Sequence, residues 1–258
     1  MTGPGRDATP PELAARLDEA ARSASPVAPL TDSGQLDVAA AYRVQQELVD
    51  RRMRRGEHLV GLKMGLTSRA KMAQMGVDQA IWGRLTDAMR AADGARLDTG
   101  RLIHPRVEPE VAFRLTGRPG PFAVAVSAVA PALEVIDSRY ADFRFTLPDV
   151  IADNTSAAAF VVGPWRPVPD EVDNLGVLLE VDGRVVQVGS TAAILGDPRR
   201  ALEQGLALAA AAGVRPREDW VFLAGAATAA VPLPAGTYVR AVVQGLGTAS
   251  LSTGEAGQ

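Results

Sequence analysis

Short strands joined by tight turns dominate the chain after residue 58, and this texture limits the folds open to it. The clearest sign is the run LGVLLEV-DG-RVVQVGS, in which Asp182-Gly183 is a two-residue turn typical of a β-hairpin. Further strands are predicted over 59–66, 106–115 and 133–137. Because strands outnumber helices and many connections are tight, the pattern disfavours a regularly alternating, doubly wound sheet. We therefore predict an α+β domain over residues 58–258.

Two helices are predicted ahead of that domain. Pro10 and Pro11 open the first, and apolar residues follow at a spacing of four. The second is expected over 37–55, with Gly56 where a C-terminal cap belongs. Its arginine-rich end is more typical of cations that complement a helix terminus than of an anion site. We predict that residues 1–57 form a helical attachment that does not fold independently.

The composition restricts the chemistry that the chain can perform. None of the 258 residues is cysteine, and only His58 and His104 are histidines. Disulfides, thiolate metal sites, cysteine nucleophiles and histidine-rich sites are thereby excluded. A net charge of −3 gives no basic excess for nucleic acid or an anionic membrane. No run of ~18 apolar residues and no signal-like N-terminus is present, so we expect a cytoplasmic protein.

Three glutamates are candidate metal ligands. Glu108 and Glu110 are two residues apart on a predicted strand, so their side chains point to one face. Like charges there repel unless a divalent cation binds them, although a solvated strand face is the alternative. Pro109 donates no ladder hydrogen bond, which predicts an edge or bulged strand. Glu134 lies in a core-like strand, where burial requires a metal or a partner such as Arg139.

Lys63 is a further unusual charge, since it interrupts an apolar strand between two glycines. Its ammonium could reach the surface along the strand. It could instead lie beside a carboxylate–metal cluster, where it would polarise or protonate a substrate oxygen. A short helix is predicted after it, capped by Thr67 or Ser68 and ending at Gly76. The lysine and the glutamates each need opposite charge, so we interpret them as one site.

Longer motifs resemble the fumarylacetoacetate hydrolase superfamily, in its branch of 2-keto-4-pentenoate (2-hydroxypentadienoate) hydratases and 4-oxalocrotonate decarboxylases. The resemblance is carried by EPE, GLKMGLTSRAKMAQMGV, ALEVIDSRYADFRFTLPDVIADN, GSTAAILGDP, GAATAAVPLPAG and GLGTASLS. It covers about residues 38–252. Within the branch, AKMAQMGV and EVIDSRY are more similar to the decarboxylases. The segment 117–131 is shorter than is usual in the family, which predicts a truncated lid and a more open pocket.

The resemblance implies a mixed, twisted β-roll flanked by helices, usually in an oligomer. It implies that Mg²⁺ or Mn²⁺ binds Glu108, Glu110 and Glu134, with no organic cofactor. Lys63 would be the catalytic lysine. The residues expected to hold the substrate are Ser156, Thr228 and Arg139.

The implied reaction is metal-dependent decarboxylation of a 2-oxo-enedioate to 2-hydroxypenta-2,4-dienoate and CO₂. Hydration of 2-hydroxypenta-2,4-dienoate at the same site is the nearest alternative. A biosynthetic enzyme for another 2-oxo acid also fits the resemblance. A different class of function is a non-catalytic subunit that associates with a cognate hydratase or decarboxylase.

Overall fold

The computed structural model describes residues 8–68, 72–73 and 79–254. Five α-helices lie in this part of the chain: α1 (Pro10–Ser23), α2 (Val38–Arg54), α3 (Phe122–Ala125), α4 (Leu147–Ala152) and α5 (Pro198–Ala211). The first two lie where the sequence predicts them. The helix predicted after Thr67 falls mainly outside the described residues. None of the described helices combines the length and apolar character needed to cross a membrane.

The described strands form two sheets. Those of the first sheet are β1 (Leu59–Gly65), β2 (Ile81–Thr86), β3 (Arg90–Ala91), β5 (Arg106–Thr116), β6 (Val126–Ile136), β7 (Ala157–Val162), β10 (Glu218–Ala226) and β11 (Val231–Pro232). Those of the second are β4 (Arg96–Asp98), β8 (Gly176–Val181), β9 (Arg184–Ser190), β12 (Tyr238–Val243) and β13 (Gly247–Gly254). The first sheet has the order β2-β1-β10-β5-β6-β7-β3, with β11 on β5, and the second β4-β13-β12-β8-β9.

Parallel and antiparallel pairs occur in both sheets. In the first, β1 runs parallel to β10 and β3 parallel to β7, while β5 is antiparallel to both of its main neighbours, β10 and β6. The predicted hairpin is formed by β8 and β9, with Asp182 and Gly183 both at positive φ, as the turn requires. The predicted α+β architecture with a mixed, curled sheet flanked by helices is confirmed.

Alternation along β5 and β6 separates the core from the functional face. Val107, Leu133 and Val135 are fully buried in a cluster that also contains Leu179 and Val239 of the second sheet. The residues between them in sequence must point to the opposite face, because successive strand side chains alternate. The sheet-to-sheet core therefore fixes which face of β5 and β6 carries the charged residues.

Helices α1 and α2 pack against the first sheet through α4. Gln45 of α2 is fully buried, and its side-chain amide donates 3.0 Å hydrogen bonds to the carbonyls of Trp82 and Ile151. Asp18 of α1 pairs with Arg51 and Arg55 near the end of α2. These arginines thus fasten two helices together, in agreement with a structural role. The division of the chain at residue 57 stays a prediction.

Strand β5 lies inside the sheet, so of the two predicted alternatives, an edge strand or a bulged strand, the structure shows the bulge. Pro109 lacks an N–H, but its carbonyl accepts a 3.0 Å hydrogen bond from the Ala227 N–H. The register between β10 and β5 shifts between Leu223 and Ala226, which pair with Ala112 and Glu110, and Glu110 adjoins this proline. The predicted irregularity is therefore present, and the bulge in the partner strand lets an interior strand hold the proline.

Candidate metal centre and substrate cavity

The three predicted ligands lie together on the functional face. Glu108 of β5 is paired directly with Glu134 of β6, and Glu110 follows two residues later on the same face of β5. One carboxylate oxygen from each lies within 4.8 Å of the others. All three side chains are buried, and Glu110 is fully inaccessible. Strand register alone thus collects three carboxylates in one small volume.

Several oxygens of this cluster lack the hydrogen bonds that burial normally demands. Glu110 Oε2 accepts a 2.8 Å bond from the N–H of Gly225. Glu110 Oε1 and Glu134 Oε1 accept no hydrogen bond from the described residues, and Glu134 Oε2 has the Lys63 ammonium 3.0 Å away. Gly225 has a φ of +112°, and a Cβ there would meet Thr67, so only glycine suits this backbone donor. Orphaned buried carboxylate oxygens are the ligands that a hard divalent cation prefers.

The electrostatics of the cluster also favour a cation. Burial raises the pKa of Glu110 well above its usual range, and the neighbouring carboxylates of Glu134 and Glu108 raise it further. Burial likewise raises the pKa of Glu134, against the opposing effect of Lys63. Protons therefore compete with a metal for this cluster more strongly than they would at exposed glutamates. The residues present therefore fit Mg²⁺ or Mn²⁺.

Lys63 projects from β1 into the same cluster. Its Nζ lies 3.0 Å from Glu134 Oε2 and donates a 3.1 Å hydrogen bond to the Thr155 carbonyl. The side chain is 3% exposed, so the ammonium does not reach the surface. The ion pair with Glu134 and the carbonyl of Thr155 hold the charge at one point beside the carboxylates.

The segment that supplies this carbonyl has an unusual backbone. Asn154, Thr155 and Ser156 all have positive φ, at 49°, 53° and 60°. The Asn154 side chain holds the segment in place, because its Oδ1 accepts from the Arg84 N–H and its Nδ2 donates to the Arg84 carbonyl, both at 2.8 Å. Such strain persists only where the surroundings enforce it, and it is concentrated at functional sites. Here it aims the Thr155 carbonyl at Lys63.

A cavity of about 600 Å³ opens next to the cluster. Lys63, Glu108 and Ser156 line its polar side. Its apolar lining comes from Leu66, Ile81, Ile136, Phe143, Phe145, Val150, Ala229 and Ala230. Two arginines, Arg106 and Arg144, complete it together with Thr155. A polar end beside an apolar wall suits a small organic acid.

No family model matches the chain, but curated relatives do. A 4-oxalocrotonate decarboxylase from Pseudomonas sp is 51% identical over 247 residues, which cover 93% of this chain and 96% of the relative. Another from Pseudomonas putida is 39% identical, over 92% and 94% of the two chains. A 2-keto-4-pentenoate hydratase from Burkholderia vietnamiensis is also 39% identical, with the same coverage.

The chain belongs to the decarboxylase–hydratase branch of the fumarylacetoacetate hydrolase superfamily.

Solved structures agree with this membership. The 4-oxalocrotonate decarboxylase from Pseudomonas putida G7, complexed with magnesium and adipate, has a TM-score of 0.90 and 37% identity, and the match covers 95% of this chain and 97% of that one. A complex of the same enzyme with calcium and acetate has a TM-score of 0.87. The fumarylpyruvate hydrolase from Pseudomonas aeruginosa, at 14% identity and a TM-score of 0.56, shares the superfamily fold.

Two of the residues predicted to hold the substrate, Arg139 and Thr228, do not line the cavity. Arg139 is buried, and its guanidinium pairs with Asp153 and donates to the carbonyls of Asp153 and Ala157. Its hydrogen bonds are made within the fold, and it does not line the cavity. Thr228 donates to the Ala229 carbonyl at 3.2 Å and does not line the cavity, although the next two residues do.

The predicted lid segment also lies away from the cavity. Residues 117–125 connect β5 to β6 at the end of the strands remote from Glu108, and β6 itself begins at Val126. Gly117 and Ala125 line a different cavity with Leu206 of α5. The short connection therefore closes the β5–β6 hairpin. Its length does not determine how far the glutamate cluster is covered. In the described chain, residues 143–145 border the cavity instead.

Sequence reasoning missed Arg106 and Phe143, which both line the cavity. Arg106 could have been found by extending the alternation of Glu110 and Glu108 by one step along β5. Phe143 gave no comparable signal, because its position depends on a one-turn 3₁₀ segment, Ala141–Phe143, with irregular backbone.

Proposed function

We propose that the chain is a divalent-metal-dependent decarboxylase that converts 2-oxohex-3-enedioate to 2-hydroxypenta-2,4-dienoate and CO₂. The observation that carries the proposal is the cluster of three buried glutamates with Lys63, beside a cavity that has both charged and apolar lining residues. The 51% identical decarboxylase supports it. So does the adipate bound by the Pseudomonas putida G7 enzyme, since adipate is a six-carbon diacid like the proposed substrate.

Glu108, Glu110 and Glu134 are the proposed ligands of Mg²⁺ or Mn²⁺, and we propose no organic cofactor. When bound, such a cation supplies a Lewis acid that stabilises negative charge on the keto oxygen of a 2-oxo acid. The glutamates contribute by holding three negative charges in a rigid, buried arrangement.

Lys63 is the proposed catalytic lysine. Its ammonium is held by Glu134 and the Thr155 carbonyl, within reach of the polar end of the cavity. It offsets the repulsion between the glutamates and a dianionic substrate. As the bond to the distal carboxylate breaks, its electron pair moves through the alkene to the keto oxygen, and Lys63 can deliver a proton to that oxygen. The products are CO₂ and the dienol.

The apolar part of the lining has a different role. It includes Phe145 and Ile136. Such side chains pack against the carbon chain of a substrate and exclude water from it. Ser156 borders the polar end and is the described hydroxyl best placed to hold the substrate there.

Hydration of 2-hydroxypenta-2,4-dienoate by the same cluster is the second candidate, and the hydratase relatives at 34–39% identity favour it. Product analysis with both compounds separates the two. We expect CO₂ from 2-oxohex-3-enedioate and no net addition of water to the dienoate. Hydration without CO₂ release would overturn the decarboxylase proposal, and no turnover of either compound would favour a non-catalytic subunit.

Assembly is a separate proposal that rests on the family resemblance. We propose a homo-oligomer that also associates with a cognate hydratase. Light scattering of the purified chain, alone and mixed with that hydratase, tests both parts, and a monomer that does not bind the hydratase would contradict them.

A further inference from the structure

We propose that Arg106 binds the distal carboxylate of the substrate and thereby selects dicarboxylic over monocarboxylic 2-oxo acids. This inference rests on the proposed function, because it assigns the far end of the cavity whose near end is the glutamate cluster. Arg106 takes the substrate-binding role that the sequence analysis gave to Arg139. In the structure, Arg139 forms an ion pair with Asp153.

Arg106 stands at the right place on β5. Arg106, Glu108 and Glu110 alternate along one strand and therefore share a face. Residues two apart on a strand are about 7 Å apart. The terminal carbons of an extended six-carbon diacid are about 6 Å apart, from standard bond lengths. A diacid whose oxo-acid end lies at the glutamates thus reaches the level of Arg106 with its other end.

The Arg106 guanidinium is available for a ligand. It makes no ion pair or side-chain hydrogen bond with any residue that the structure describes. The other arginine of the cavity differs, because Arg144 forms a two-point contact with Asp32 at 3.2 and 2.6 Å. Lys63 is held by Glu134. Among the described cationic side chains that line the cavity, Arg106 is therefore the one without a carboxylate partner.

An aromatic ring orients this guanidinium. Arg106 Cζ lies 4.5 Å from the centre of the Phe143 ring, and both residues line the cavity. Stacking on a ring occupies a face of the guanidinium and leaves its N–H edges free for a carboxylate. Phe143 also packs against His104, with 4.5 Å between ring centres.

The backbone around Phe143 supports this role. Asp142 and Phe143 have positive φ values of 58° and 54°, which is rare for a bulky residue such as phenylalanine. The ring contacts both His104 and Arg106, and these contacts help to hold the strained backbone. The Phe143 ring is thereby fixed beside Arg106.

Arg106 should act on binding more than on the rate of the chemical step. It contacts the carboxylate that leaves as CO₂, so its attraction is strongest before the bond breaks. Loss of such a contact raises KM for the diacid more than it lowers kcat. Monocarboxylic acids, which lack the distal group, should not respond to its removal.

The test uses two saturated ligands with the same oxo-acid end, 2-oxohexanedioate and 2-oxohexanoate. Their affinities for the Mg²⁺-loaded full chain are measured by calorimetry for wild type, Arg106→Gln and Arg106→Lys. Arg101→Gln is the matched control, since it removes an exposed arginine outside the cavity. We expect wild type and the control to bind the diacid roughly tenfold to a hundredfold more tightly than the monoacid.

Arg106→Gln should lose that preference while its affinity for the monoacid stays at the wild-type value. Arg106→Lys, which keeps the charge but not the two-point geometry, should retain part of it. A preference that survives in Arg106→Gln, its absence from wild type, or equal weakening of both acids would each overturn the assignment. Monoacid binding and CO₂ release test the proposed function separately, so the two can fail independently.

Discussion

Glu108 and Glu134 face each other as a directly paired position of β5 and β6, and both carboxylates are buried. Like charges placed opposite one another across antiparallel strands destabilise a sheet. Glu110 adds a third carboxylate to the same volume. Lys63 supplies one positive charge, so the cluster remains short of cations when all three glutamates are ionised. The metal-free fold is expected to be under electrostatic stress that a divalent cation relieves.

Neutralising one glutamate should therefore stabilise the metal-free protein. We expect Glu110→Gln to raise the free energy of unfolding by about 1–3 kcal/mol in chelator, because it removes the cost of burying a carboxyl that must either ionise or bind a proton and can keep the hydrogen bond from Gly225. It should also abolish the rise in Tm caused by Mg²⁺. Chemical denaturation with and without Mg²⁺ measures both. Glu203→Gln, an exposed glutamate on α5, is the control and should behave like wild type.

The pH dependence follows from the raised pKa values of Glu110 and Glu134. A carboxyl whose pKa is higher in the folded than in the unfolded state binds more protons when folded. The metal-free protein should thus lose stability as pH rises from the ordinary glutamate range towards the raised values. Stabilisation by Mg²⁺ should grow over the same interval, because fewer protons compete. Thermal melts from pH 5 to pH 8 check this, and a Mg²⁺ shift that declines with pH would contradict it.

Removal of the Lys63 ammonium separates catalysis from metal binding. We expect Lys63→Met to lower kcat for CO₂ release by roughly 10²- to 10⁴-fold. Mg²⁺ affinity should not fall, since the variant leaves the glutamate cluster more negative. Calorimetric titration with Mg²⁺ and a CO₂ assay on the same sample provide the comparison. Wild-type turnover would remove Lys63 from the mechanism.

The left-handed segment at Asn154 should matter for both stability and rate. Asn154→Gly keeps a residue that accepts positive φ but removes the two hydrogen bonds to Arg84. We expect a loss of about 2 kcal/mol in unfolding free energy and a lower kcat, because the Thr155 carbonyl would no longer be fixed against Lys63. Asn154→Ala should lose more, since it adds backbone strain. Unchanged denaturation and kinetics in Asn154→Gly would show that the amide does not hold this segment.

The charged residues on strands were predictable from sequence, because a period of two assigns each a face without knowledge of the rest of the fold. Glu108 and Glu110 stood out by their spacing, and Lys63 by its apolar neighbours. Pro109 predicted either an edge strand or a bulged strand, and only the fold shows that a shift in β10 accommodates this proline inside the sheet. A register shift in a neighbouring strand cannot be predicted from the sequence around the proline.

The arginines mark the limit of sequence reasoning. Arg139 was named from the sequence as a substrate ligand and Arg106 was not, although the strand alternation places Arg106 on the face of Glu108 and Glu110. Their difference arises from long-range packing, because Asp153 reaches Arg139 from fourteen residues away. Arg106 instead faces the cavity beside Phe143, whose position depends on strained backbone. Contacts of this kind depend on the assembled fold.

The most direct measurement of the central claim is CO₂ release from 2-oxohex-3-enedioate by the purified chain, followed with Mg²⁺ and again in excess chelator. The account predicts one CO₂ for each substrate consumed with Mg²⁺, background release in chelator, and recovery when Mg²⁺ is restored. Glu108→Gln should remain at background with Mg²⁺ present. CO₂ release that persists undiminished in chelator, or in Glu108→Gln, would contradict the account.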